Sequence, residues 1–124
     1  MNIHHAARVG DNWDEIRAEL ERAFHMSRTA AQAEESFVYV VHNDDLLGRR
    51  GAGNAMVATG LLSAARTAAI EGSRKGWTAN VIAFDDDADE ESVRAWAERL
   101  AQDSEGVTGE LVRVGSSHIG KALP

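Results

Sequence analysis

A glycine-rich stretch at residues 51–56 (GAGNAM) has the composition of a phosphate-binding turn. It lies between a short β-branched run and a long alanine-rich segment, where a nucleotide-binding fold places such a turn. The dinucleotide fingerprint, however, needs a third glycine where Met56 stands and an acidic residue at the end of the next strand. The nearest acidic residue at that spacing, Glu71, falls late in the predicted helix, and no Gly-Lys-Ser/Thr follows as in a Walker-type loop. The pattern favours a plain connection over a phosphate cradle.

Carboxylates are concentrated at two other places, each directly after a predicted strand. They are Asp44 and Asp45 in the first run and Asp85–Asp87 in the second, and we call this set the acidic mouth. Ligands of open α/β sheets sit at the carboxyl ends of the strands, where these carboxylates, countered by Arg49 and Arg50, would repel a pyrophosphate. The same oxygens suit Mg²⁺ or Ca²⁺. A small-molecule or metal-dependent binding protein or enzyme is therefore an alternative prediction, although solvated carboxylates are favoured.

The composition limits the class of protein. The chain has 124 residues, which indicates one domain, and a net charge of −7. An acidic surface argues against nucleic acid and anionic membranes as partners. The lack of cysteine excludes disulfides and thiolate metal sites. No apolar run approaches the roughly 18 residues of a membrane span, and residues 1–12 lack a secretory hydrophobic region, so a cytoplasmic protein is expected.

The first half of the chain predicts a helix, a strand and a second helix. Residues 12–33 carry apolar side chains at steps of three and four, which is typical of an amphipathic helix. Residues 36–42 (SFVYVVH) are apolar on both faces and β-branched or aromatic, as in a buried strand. A loop over 43–53 leads to a helix over 54–75 whose small and apolar residues surround most of its circumference. Such a helix is covered on more than one side.

The second half continues the alternation. Residues 77–84 indicate a strand, Asp87 can cap a helix over 89–103, and residues 109–114 form a last short strand. Alternation of this kind gives a parallel sheet with helical crossovers. Residues 1–9 can supply a further strand at the open edge. The predicted fold class is α/β, a small parallel sheet of three or four strands with helices on both faces.

The three tryptophans are predicted to be core residues. Trp13 and Trp77 stand near the starts of elements, and Trp96 stands on the apolar stripe of the helix over 89–103. Core packing explains all three positions, so we expect all three rings to be buried.

The segment at residues 54–83 (NAMVATGLLSAARTAAIEGSRKGWTANVIA) resembles the part of the short-chain dehydrogenase/reductase family that carries the catalytic Tyr-x-x-x-Lys. The matching features stand in register without gaps, at Arg66, Ala69, Glu71, Gly76 and Asn80. Residues 106–117 (GVTGELVRVGSS) resemble the Thr-Gly ending of that family, and Trp13-Asp14 resembles the Trp-Asp that opens its long helix. The resemblance implies half of a Rossmann-like fold, with residues 1–124 as a single truncated domain that matches the C-terminal half of a family member.

The resemblance also implies which positions would be catalytic, and this sequence replaces them. The family's tyrosine falls on Asn54, its lysine on Ala58 and its serine near Val41 or His42. In that chemistry the tyrosine exchanges a proton and the lysine lowers the tyrosine pKa, whereas asparagine has no titratable proton and alanine has no charge. The family's nucleotide-binding first half has no counterpart here. We therefore predict an inactive homologue with no catalytic residue, no cofactor and no metal.

The family's association surfaces, by contrast, are retained. Its two long helices pair with those of a second subunit as a four-helix bundle, and the resemblance places helices 12–33 and 54–75 there. Close packing of the small residues on helix 54–75 would be stabilised by apolar burial and dispersion. The predicted interface residues are Ile16, Leu20, Phe24, Val57, Leu61, Ala64, Ala65 and Ala68. We expect a structural or regulatory subunit that forms a homo-oligomer, a dimer or tetramer, or that docks onto an intact short-chain dehydrogenase/reductase.

Overall fold

Strands and helices alternate through the described chain, which comprises residues 1–102 and 106–116 of the computed structural model. The elements in chain order are β1 (Asn2–His5), α1 (Trp13–Gln32), β2 (Phe37–His42), α2 (Asn43–Leu46), α3 (Ala52–Ser73), β3 (Ala79–Phe84), α4 (Glu90–Gln102) and β4 (Leu111–Val114). The four strands are parallel and lie in the order β1-β2-β3-β4. The predicted α/β class is confirmed, and residues 1–9 do supply the fourth strand.

The central strands β2 and β3 are buried on both faces of the sheet, which explains their non-alternating apolar sequences FVYVVH and ANVIAF. Phe37, Tyr39 and Val41 belong to the core that α1 and α3 form with one face. Val38 and Val40 belong to the core on the other face, which α4 covers. The helices therefore lie on both faces of the sheet, with two long helices on one side.

Helix α1 begins at a side-chain cap. Oδ1 of Asn12 accepts hydrogen bonds from the backbone N–H groups of Asp14 and Glu15, at 2.9 and 3.3 Å. The cap satisfies donors of the first turn that have no partner within the helix. Ile16 and Ala23, two turns apart, are buried in the core shared with α3. The predicted amphipathic helix is thus confirmed in its extent.

Helix α3 has an apolar inner side and several apolar residues on its outer side. Val57, Leu61 and Ala65 lie in the core, whereas Met56 and Ile70 remain 50% and 65% exposed. No helix within residues 1–102 and 106–116 is both long enough and apolar enough to cross a membrane.

The segment predicted as a loop over 43–53 opens with the short helix α2. His42 caps this helix, because its Nδ1 accepts the backbone N–H of Asp44 at 3.0 Å. A helix of four residues has too few positions for an apolar periodicity, which is why the sequence pattern does not indicate it.

Helix α4 begins further along the chain than a cap at Asp87 predicts. Oδ1 of Asp89 accepts the N–H of Glu91 at 3.4 Å, so the cap is Asp89 and the prediction of Asp87 is wrong. The N–H of Asp87 instead donates to Oδ1 of Asp85 at 2.9 Å in the turn before the helix. The predicted end of this helix near residues 104–106 lies mostly outside the described residues.

The prediction that all three tryptophans are core residues is wrong for two of them. Trp77 is buried, but Trp13 and Trp96 are 60% and 43% exposed. Trp13 is the first residue of α1 and precedes its buried stripe. Trp96 lies on the outer side of α4, where the Arg99 guanidinium carbon is 5.6 Å from the ring centroid. A cation over the ring stabilises an aromatic side chain that stays at the surface.

Candidate functional site

The glycine loop is a packing junction between two segments of the chain. Gly53 lies so close to the segment before α1 that a Cβ atom would sit 2.7 Å from the carbonyl oxygen of Gly10. Asn54 links the same segments, since its Oδ1 accepts from the Val9 N–H and its Nδ2 donates to the Arg50 carbonyl, both at 2.8 Å. Glycine at position 53 therefore has a steric explanation, and the contacts support a connection rather than a phosphate cradle.

The three positions that the family resemblance assigns to catalysis are all buried. Asn54, Ala58 and His42 are 5%, 2% and 6% exposed. The amide of Asn54 is engaged with the backbone at both ends. Ala58 offers no polar atom. Neither of these two side chains can exchange a proton.

His42 links the carboxyl end of β2 to the turn after β3. Its Nε2 lies 2.8 Å from Oδ1 of Asp86, and its Nδ1 accepts from the N–H of Asp44. Because a carboxylate only accepts, Nε2 carries the proton and the ring is the neutral tautomer. The ring also packs edge-on against Phe84, with 5.0 Å between centroids. This link was not predicted, because the two residues are 44 positions apart.

Arginines neutralise the first part of the acidic mouth. Arg50 forms a bidentate ion pair with Asp45 at 2.7 and 2.9 Å, and Arg49 reaches Oδ1 of Asp44 at 3.5 Å. The hydrogen bond to Asp45 raises the pKa of the Arg50 guanidinium, although partial burial opposes the shift. The negative charge of the mouth is therefore concentrated in the second run of carboxylates, where Asp86 is exposed.

One histidine nitrogen and two carboxylates, from His42, Asp44 and Asp86, lie within 4.8 Å of one another. A donor set of this composition can hold a divalent transition metal. Both ring nitrogens of His42, however, serve hydrogen bonds inside the cluster, so a metal would have to displace the proton on Nε2. The metal-dependent alternative stays a prediction.

An open cavity of about 440 Å³ lies at the carboxyl ends of β1, β2 and β3, on the side of the sheet that α4 covers. Its apolar lining is Val40, Phe84, Ala88 and Val93. Its polar lining is His5, Asp85, Asp86, Glu90 and Arg94. Cavities of this size hold small ligands, and the ends of parallel strands are where α/β proteins bind them.

The eight predicted interface residues divide by burial. Four lie in the chain's own core, namely Ile16, Val57, Leu61 and Ala65. Because those four side chains are buried inside the chain, they cannot also contact a partner. They pack beneath the surface residues, and the interface prediction is corrected for them. Leu20 and Ala68 are partly buried, and Phe24 and Ala64 are exposed. We call the surface formed by Leu20, Phe24, Gly60, Ala64 and Ala68 the α1–α3 face.

A buried carboxylate on α1 was not predicted from the sequence. Glu19 on α1 is fully buried and accepts hydrogen bonds from His4 Nε2 at 2.7 Å, the Ala7 N–H at 2.9 Å, and Arg22 at 2.7 and 3.0 Å. Burial raises the pKa of the Glu19 carboxyl, but the hydrogen bonds from Ala7, Arg22 and His4 outweigh it, so the pKa of Glu19 is lowered. A glutamate inside the apolar stripe of a predicted helix is the signal that could have revealed it.

No protein-family model and no curated protein matches the sequence. Solved structures do match its fold. A short chain dehydrogenase from Mycobacterium smegmatis is 24% identical with a TM-score of 0.65, over 94% of this chain and 58% of that chain. The TT0495 protein from Thermus thermophilus is 19% identical with a TM-score of 0.69, over 93% and 67%. An oxidoreductase (short chain dehydrogenase/reductase) from Brucella ovis is 16% identical with a TM-score of 0.63, over 93% and 65%.

At these identities the likeness concerns the fold alone. Nearly all of this chain has the fold of a short-chain dehydrogenase/reductase, while it spans only 58% of the length of the Mycobacterium smegmatis enzyme. The resemblance stated from the sequence is thereby confirmed for the fold, and so is the Rossmann-like class.

Proposed function

We propose that this chain is a non-catalytic, short-chain dehydrogenase/reductase-like protein that acts as a structural or regulatory subunit and associates with a second copy through the α1–α3 face. The observation that carries the proposal is the character of that face, where small residues of α3 lie beside an exposed phenylalanine of α1. A cytoplasmic location, as expected from the sequence, is part of the proposal.

The α1–α3 face is shaped for close approach. Gly60 and Ala64 are exposed on α3, and a Cβ atom at Gly60 would have only Leu20 Cδ2, at 3.9 Å, within contact distance. Phe24 is 56% exposed and lines a groove of about 380 Å³ between the helices, together with Ala64 and Ala68. Covering this surface would bury apolar area that the single chain leaves in water.

The charges around the same groove suit a second copy of the chain. Arg28 and Lys75 line the groove together with Glu71, so both signs are present on one surface. In a two-fold contact the same patch meets itself, and a patch with both signs can then pair basic residues of one copy with the glutamate of the other. An intact short-chain dehydrogenase/reductase as the partner is the second form of this proposal.

The non-catalytic part of the proposal rests on the three replaced positions. Asn54 is bound to the backbone of the segment before α1, Ala58 is apolar, and His42 is held by Asp44 and Asp86. Neither Asn54 nor Ala58 carries a group that could exchange a proton as the family's tyrosine does, and we propose that the chain uses no nicotinamide cofactor.

The test is the substitution Ala64→Glu, with Ala95→Glu as its matched control. Both alanines are exposed on helices, but Ala95 lies on α4, on the opposite side of the sheet. We expect Ala64→Glu to convert the oligomer to a monomer, measured by size-exclusion chromatography with light scattering, while Ala95→Glu leaves the mass unchanged. An unchanged mass for Ala64→Glu would exclude this face. A wild-type chain that is monomeric alone, but co-elutes with an intact family member, would favour the companion form of the proposal.

A further inference from the structure

The cavity of about 440 Å³ at the carboxyl ends of β1, β2 and β3 has an apolar part and an acidic part in its lining, and both restrict the ligands that it can bind. Val40 and Val93 are buried side chains of its apolar lining, and Phe84 adds an aromatic surface. These groups provide no metal ligand, so the inner part of the cavity suits a hydrocarbon or aromatic body.

The polar lining of the cavity carries an excess of negative charge. Asp85, Asp86 and Glu90 are acidic residues of the lining. Arg94 also lines the cavity, and it forms an ion pair with Glu91, which is not among the described lining residues. Because Asp86 is 87% exposed and Glu90 is also exposed, these two carboxylates can meet a ligand without prior rearrangement. Three acidic residues and one arginine among the described lining residues give a net negative charge, and a concave surface of net negative charge attracts cations.

We propose that this cavity binds a small organic cation, with its ammonium or amidinium group between Asp86 and Glu90 and its apolar body against Val40 and Phe84. This goes beyond the association proposed above, and it uses the opposite side of the sheet from the α1–α3 face. The proposed cation also accounts for the acidic character of this end of the sheet. A pyrophosphate bound there would need a basic or neutral surface.

The test uses three probes of similar size, namely 2-phenylethylammonium, the neutral 2-phenylethanol and the anion phenylacetate. Each is titrated into the ¹⁵N-labelled chain of residues 1–124 while backbone amide shifts are recorded. We expect saturable shifts at Val40, Phe84, Ala88 and Val93 with the ammonium probe. Binding of the neutral probe should be about tenfold weaker, because it lacks the ion pairs with the carboxylates. Equal binding of the neutral probe, or no saturable shift at these amides, would overturn the proposal.

Two variants and a control separate this site from general attraction to an acidic protein. Asp86→Asn and Glu90→Gln should each weaken ammonium binding by about threefold to fivefold, the range expected for solvent-exposed ion pairs. Glu21→Gln removes the same charge from an exposed side chain of α1, on the opposite side of the sheet, and should change binding less than twofold. Equal losses in all three variants would overturn the proposal, as would binding of Zn²⁺ alone with no response to the ammonium probe. The wild-type mass, measured in parallel, reports on the association proposal independently.

Discussion

The carboxylate of Glu19 lies 2.7 Å from Nε2 of His4, which joins the middle of α1 to the edge strand β1. The same fully buried carboxylate accepts the N–H of Ala7, in the segment that follows this strand. Among the described residues β1 lies at the edge of the sheet, and this side-chain link is a polar contact between that strand and the helix that covers it. A charge so deeply buried is retained only because several donors surround it.

Replacing Glu19 by glutamine should make the stability of the protein less dependent on pH. The pKa of Glu19 is lowered in the folded state, so its contribution is present above its ordinary value of 4.5 and is lost as the pH falls through the lower folded value. We expect Glu19→Gln to cost about 2 kcal/mol at pH 7 and the difference from wild type to shrink below about pH 4.5. Urea denaturation at a series of pH values measures both. Glu21→Gln, at an exposed position of the same helix, is the control, and a difference independent of pH would contradict the account.

Removing the ring of His42 should destabilise the carboxyl end of the sheet. His42→Ala leaves the N–H of Asp44 without its acceptor and removes the contact with Phe84. We expect a loss of about 2 kcal/mol in the free energy of unfolding, from the lost hydrogen bond and the lost packing. The exposed His25 on α1 provides the control, since His25→Ala should cost less than about 0.5 kcal/mol. Equal effects of the two substitutions would show that His42 is not held as described.

Two glycines of α3 should respond in opposite directions to alanine. Gly53→Ala would place a methyl group 2.7 Å from the Gly10 carbonyl oxygen, and we expect a loss of about 2 kcal/mol. Gly60→Ala has room for its methyl group and improves helix propensity, so the isolated subunit should gain up to about 1 kcal/mol. Thermal denaturation of the two variants at low protein concentration tests the pair. A neutral Gly53→Ala would mean that the loop does not pack closely against residues 9–10.

Nicotinamide cofactors should not bind. The resemblance to the family assigns its tyrosine and lysine positions to Asn54 and Ala58, and we expect the acidic mouth to repel phosphate groups. Titration of the protein with NADH and NADPH, followed by nucleotide fluorescence and by calorimetry, should show no saturable change up to about millimolar concentration, the weak end of the affinity scale. The Asp86→Asn variant provides an internal comparison, because its reduced negative charge should not create binding either. Saturable binding to the wild type would contradict the non-catalytic account.

The sheet was predictable because its signals are local. The apolar runs that became β2 and β3, and the long periodic segment that became α1, each specify their own type of structure. The alternation of strand and helix then dictates parallel pairing. The short elements were less well specified. The four residues of α2 carry no period, and both Asp87 and Asp89 have the side chain of a helix cap, so local sequence does not decide between them.

The candidate site was predictable in its place but not in its contacts. Asp44 and Asp86 follow neighbouring parallel strands, so sequence reasoning puts both at the same end of the sheet. That His42 contacts Asp86 depends on strand register, with His42 opposite Phe84, and no local pattern specifies register in a sheet buried on both faces. The cavity beside them depends in addition on how α4 crosses the sheet. For the same reason, the sequence could not show which of the predicted interface residues would be buried in the chain's own core.

The measurement that tests the central claim most directly is the solution mass of the unmodified chain by light scattering across a wide range of protein concentration. Association through the α1–α3 face predicts a mass at least twice the 13.4 kDa of one chain, with the same value when NADH or NADPH is added. A mass of one chain at every concentration would contradict self-association.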